Sequence, residues 1–178
     1  MKPAFRFAII FGLIYVAVKF FVHHQNLQHD TQLDLYVMFF NLLLALLAIV
    51  LTLLKRKSTS PSTTFISDVK EGAKSAAIFA IIASSYTYIH YQFIDDTFLA
   101  QKIEERIRLA KNYDLSEVKD TNPLAESMNK EEFIAREKQL SDMLFSPFNT
   151  ASITLFGFII LGFIYAIGTT LVIRKMQI

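Results

Sequence analysis

Apolar positions in this chain come in blocks rather than in alternation. Residues 4–22, 35–54 and 151–173 are nearly unbroken hydrophobic runs. Residues 73–94 are a fourth run, opening with small residues and closing with hydroxyls and aromatics. About 20 residues, rising 1.5 Å each, cross a ~30 Å hydrocarbon core, so this pattern predicts four membrane-spanning helices. Residues 95–148 behave differently. Phe98, Leu99, Ile103, Ile107 and Ala110 recur at helical spacing and predict a helix over 98–112, with Asp95 or Asp96 as its N-cap. Thr121, Asn122 and Pro123 predict a turn. A second helix is expected over 129–144, where Asn129 and Glu132 have capping-box spacing and Phe133, Leu140 and Leu144 mark one apolar face. Pro147 ends it. The expected fold is therefore an all-α, integral membrane protein. It has four transmembrane helices, with an extracytoplasmic helical hairpin (95–148) between helices three and four, in a single membrane domain over 1–178.

Small residues within the spans predict how they pack. Ala76, Ala80 and Ser84 repeat every fourth position in span three, and Gly162, Ala166 and Thr170 do so in span four. Such ridges let two helices approach closely in lipid, where no hydrophobic force drives them together. Asn41 is the polar interruption of span two and is expected to hydrogen-bond a neighbouring helix. After the linker 58–67, helix three is expected to start at Ser67 or Asp68, because Asp68 and Glu71 stand three apart as in a capping box, and to enter the membrane near Ala73. No A-x-A-like cleavage site follows 4–22, so this run reads as a retained span rather than a signal peptide.

Charge orients the spans. Lys2, Arg6, Lys55, Arg56, Lys57, Lys70, Lys74, Arg174 and Lys175 all fall on one side of a four-span arrangement, and the 23–34 connection carries no Lys or Arg. The positive-inside rule then puts both termini in the cytoplasm. Segment 95–148, with twelve acids against eight bases, lies outside. The chain has no cysteine, which removes disulfides, thiolate metal sites and cysteine nucleophiles. A net charge of +2 without a basic stripe gives no nucleic-acid surface.

Candidate chemistry is sparse. His23, His24, His29, Asp30 and Asp34 offer imidazoles and carboxylates, but their gaps match no familiar ligand motif, and a solvated interfacial loop accounts for them equally. His90, Tyr91, Asp95 and Asp96 gather at the outer end of span three and could contact a lipid headgroup. Helix capping and an interfacial aromatic belt explain the same residues. P-loops, nucleophile elbows and dinucleotide fingerprints are absent. No catalytic residue, cofactor or metal ligand is assigned.

Segment 65–98 carries a resemblance. Ser67, Gly72, Tyr86, Tyr88, Tyr91, Phe93, Ile94, Asp95 and Phe98 stand where a family of uncharacterised Bacteroidota membrane proteins, the domain-of-unknown-function family numbered 4199, has its motif; Asp96 stands where Pro is common there. The resemblance implies a four-span protein of the bacterial cytoplasmic membrane and supplies no activity. Two functions are expected. The first is a non-enzymatic subunit or scaffold of a cell-envelope complex, binding a membrane partner or itself through the small-residue faces and the hairpin. The second is a small lipid-binding or lipid-processing protein using the outer end of span three.

Overall fold

A computed structural model describes residues 2–28, 31–113 and 128–176, and every regular element among them is helical. The helices are α1 (Pro3–His24), α2 (Thr31–Thr59), α3 (Phe65–Ile89), α4 (Asp96–Asn112), α5 (Lys130–Leu144) and α6 (Pro147–Lys175). A single π-helical turn, His90–Ile94, continues α3. The expected turn at Thr121–Pro123, and His29 and Asp30, lie outside the described residues.

Three helical stretches, Pro3–His24, Leu35–Thr59 and Pro147–Lys175, are long and apolar enough to cross a bilayer. They make this a membrane protein. Helix α3 falls short of that apolarity although it is 25 residues long. Lys70, Glu71 and Lys74 lie in its first turns, and Ser84, Ser85 and Thr87 dilute its last ones.

Two compact units divide the chain: Met1–Tyr86 with Ser152–Ile178, and Thr87–Ala151. In the first unit α2 is the most enclosed of the three apolar helices, with 44% of its span buried against 17% for α1 and 22% for α6. Its residues feed two cores. Leu44 and Ala45 pack with Ala8 and Tyr15 of α1 and with Phe79 and Ala83 of α3. Ile49 and Leu53 pack with Val69 and Ala76 of α3 and with Ala166 and Ile173 of α6. Edge-to-face rings reinforce the first core: Phe79 lies 5.1 Å from Phe158 and 5.9 Å from Tyr15. Away from these cores Leu13, Phe39, Phe156, Ile160 and Val172 are exposed, far more apolar surface than a water-soluble chain tolerates.

In the second unit α4 packs against α5. Asn129 caps α5 through a complete capping box, its side chain accepting from the Glu132 N–H while Glu132 accepts from the Asn129 N–H, each at 2.9 Å. Leu99, Ala110, Phe133 and Ser141 form the buried seam of α4 and α5. Arg106 Nε donates to Glu137 Oε2 across it at 3.2 Å.

Helix α3 starts earlier than the sequence suggested. Its first residue is Phe65, and Thr64 serves the cap, its hydroxyl accepting from the Ser67 N–H at 3.2 Å. Asp68 is thus inside the helix, and its carboxylate has a different use.

Candidate functional site

The Asp68 side chain is almost fully buried near the start of α3, on the end of the unit where α2 and α6 finish. Four donors reach it. Arg56 Nε lies at 3.2 Å and Lys57 Nζ at 3.1 Å from α2, and Arg174 Nη2 at 2.8 Å from α6. The Thr63 hydroxyl donates at 2.5 Å from the turn before α3. Arg174 also donates to the Thr63 carbonyl, and Arg56 donates to Ser67. Glu71, one turn on, faces Arg56 at 3.4 Å and Lys74 at 3.2 Å. Burial alone would raise the Asp68 carboxyl; hydrogen bonds from Thr63, Arg174 and Lys57, with the charge of Lys57, outweigh it and hold the group below its ordinary range. One carboxylate therefore ties three helices together. One turn further, the Thr52 and Ser75 hydroxyls both reach the Ala48 carbonyl, at 2.7 and 3.2 Å, and lie 3.1 Å from each other.

Small residues bring α3 and α6 together below this clasp. A Cβ added at Gly72 would stand 2.9 Å from Ala166 Cβ, and one at Gly162 would meet Ala76 Cβ closer than 3.0 Å. Ala76, Ala80, Ala166 and Thr170 are buried, and Ser84 is half-buried. Gly157 and Gly168 face open space instead, with nothing within 4 Å of an added Cβ.

The other predicted group lies around the π-helical turn of the second unit. Asp95 N donates to His90 O at 2.8 Å, the bond that closes the turn. His90 is buried and its ring meets Tyr91 edge-on at 5.1 Å; Tyr91 stacks on Phe98 at 5.5 Å. Asp95 is the N-cap of α4, accepting from the Phe98 N–H at 3.2 Å. Its neighbour Asp96 is exposed in the first turn of α4. His90, Tyr91 and Asp95 are thus folded inward, while Asp96 faces solvent. The two carboxylates do not form a matched pair.

Sequence reasoning missed the clasp. The signals were present: the basic run Lys55–Lys57, Arg174, and an acid that is out of place in an interfacial helix. Topology and capping each gave a local reason for these residues, so nothing called for a long-range one.

An all-helical membrane protein with an ion-paired helix bundle and a second unit of two packed helices is the class that these features define. The chain belongs to the family described as "Protein of unknown function (DUF4199)", whose model matches residues 6–175. No curated protein and no solved structure matches it.

Proposed function

We propose that this protein is a four-span subunit or scaffold of a bacterial cell-envelope complex, without enzymatic activity. It sits in the cytoplasmic membrane with both termini inside and the α4–α5 hairpin outside. Helix α3 is the fourth span in this reading. Its 25 residues extend ~37 Å at 1.5 Å each, more than a ~30 Å hydrocarbon core needs. Its charged first turns lie at the cytoplasmic interface, where Arg56, Lys57 and Arg174 neutralise Asp68.

The observation that carries the reading is the hairpin surface. The two helices have their own seam, caps and cross-bridge, yet Leu109, Tyr113 and Met143 stay exposed among charged neighbours. Apolar anchors ringed by charge are the composition of a protein-binding patch. Leu109 and Tyr113 also border a 330 Å³ groove between α4 and α5. The partner is a membrane protein of the same complex or a second copy of this chain.

Native mass spectrometry of the protein, gently extracted from its own membrane, tests this. The expected result is a protein partner, or a second copy, at fixed stoichiometry. It should be lost in the Leu109→Asp/Met143→Asp double variant while insertion persists. A monomer, or capture unchanged by the variant, refutes the role of the hairpin.

A second reading draws on the π-helical turn, a distortion that recurs at functional sites. In it His90, Tyr91, Asp95 and Asp96 hold a lipid headgroup. Changing both aspartates to asparagine keeps the cap and removes the charge; lipid binding that survives this change excludes the site.

A further inference from the structure

Asn41 of α2 is 5% exposed, and its Oδ1 has no hydrogen-bond partner. Hydrocarbon offers no water to such an oxygen, so its desolvation stands uncompensated. The residue lines a 390 Å³ groove formed by α1, α2 and α6, within the range of about 300–1,000 Å³ typical of ligand pockets. Met38, Leu42, Ile153 and Leu161 give this groove apolar walls. Tyr15, Lys19 and Thr154 also line it, and each of them already has a partner. Among the described residues of the lining, Asn41 Oδ1 is the buried side-chain oxygen that still lacks one.

Position narrows the occupant. Asn41 follows Leu35 by six residues, ~9 Å into the apolar stretch Leu35–Thr59. A charged headgroup would have to shed its water to reach that depth, whereas a hydroxyl loses far less. Ile153 and Leu161 stand eight residues apart on α6, so the groove runs for ~12 Å along that helix. Between them Gly157 carries no side chain to fill it, and nothing lies within 4 Å of where its Cβ would be. The site therefore has an open apolar channel and one unmet hydrogen bond.

We propose that this groove binds an uncharged lipid with a free hydroxyl, of the diacylglycerol type. The hydroxyl donates to Asn41 Oδ1. Because it also accepts, it serves the amide whichever way the side chain is turned. An acyl chain lies against the apolar walls and over Gly157. A phospholipid meets the walls equally well but not the amide, since its phosphate brings acceptors and a charge rather than a donor. The site uses only the three apolar helices, so it stands apart from the proposed hairpin partner and from the π-helical turn.

The test is native mass spectrometry of the full chain released from phosphatidylcholine nanodiscs holding a minor share of dioleoylglycerol or of its acetate ester. The ester keeps both acyl chains and loses the O–H donor. Wild type should retain one dioleoylglycerol per chain, enriched over the bulk, and about fivefold less of the ester, the loss of one hydrogen bond. Asn41→Leu should lower the dioleoylglycerol enrichment about fivefold, with melting temperature unchanged or raised because a buried unpaired amide has gone. Gly157→Leu, whose side chain grows into open space, should displace the lipid while Asn41 is intact. Equal retention of dioleoylglycerol and its ester overturns the proposal, since the walls alone would then account for binding. So does wild-type enrichment in either variant, or a wild-type chain, monomeric or dimeric, recovered without dioleoylglycerol.

Discussion

Replacing Gly162 by alanine should destabilise the protein, although glycine-to-alanine changes in helices usually stabilise. In a helix interior alanine is worth up to about 1 kcal/mol over glycine. Here the new methyl would meet Ala76 Cβ at less than 3.0 Å, with Ala76 Cα at 3.5 Å behind it. Carbon pairs settle at about 3.5–4.0 Å, so α3 and α6 would have to part by upwards of half an ångström. The obstacle is the root of a helix rather than a flexible side-chain tip. Overpacking of this kind costs about 1–3 kcal/mol, which leaves a net loss of up to roughly 2 kcal/mol after the full propensity gain. Gly168 provides the control, because nothing lies within 4 Å of its added Cβ. Gly168→Ala should therefore be neutral or gain up to about 1 kcal/mol. Adding Ala76→Gly to Gly162→Ala should restore most of the loss. Unfolding titrations in mixed micelles, followed by circular dichroism, give all three values. The packing argument fails if Gly162→Ala matches Gly168→Ala, or if Ala76→Gly makes the Gly162 variant worse.

Asp68→Asn should cost about 2–3 kcal/mol, less than the 3–5 kcal/mol of a fully buried pair because its arginine and lysine partners keep some water contact. Melting curves against pH should agree in sign. A carboxyl held below its ordinary value of 3.8 contributes fully above that value and loses its contribution as pH falls through the lower native one, so wild type but not Asp68→Asn should show this acid-side decline. Asp95→Ala should cost about 1 kcal/mol of stability in the second unit, whereas Asp95→Asn, which still accepts from Phe98 N–H, should cost little. Equal losses in the two variants, read by hydrogen exchange at the start of α4, would assign Asp95 a role beyond capping.

Much of the helix content was legible because the apolar blocks leave little choice. Twenty consecutive apolar residues have no water-compatible alternative, and the α5 start was readable because its capping box is local: Asn129 and Glu132 stand three residues apart. The start of α3 was misread for the same reason. Asp68 and Glu71 imitate a capping box, and only the fold reveals that Thr64 caps the helix while Asp68 turns toward Arg174, 106 residues away. Asn41 was read as a helix-to-helix hydrogen bond, yet its Oδ1 faces no donor. No pattern along a single helix reports what lies across from it. The same limit applied to His90, which is buried where α3 passes into the π-helical turn His90–Ile94, a change of register with no sequence signature of its own.

The clasp also has a consequence for the order of biogenesis. Arg56 and Lys57 leave the ribosome just before Asp68, whereas Arg174 follows it by 106 residues. While α3 waits, its carboxylate has the Arg56 and Lys57 cations of the preceding helix to pair with. Arrival of α6 then adds the third cation and, through the Thr63 carbonyl, fixes the turn before α3. The bundle is thus locked only once α6 is made. A nascent chain halted before that helix would keep α2 and α3 associated but unlatched.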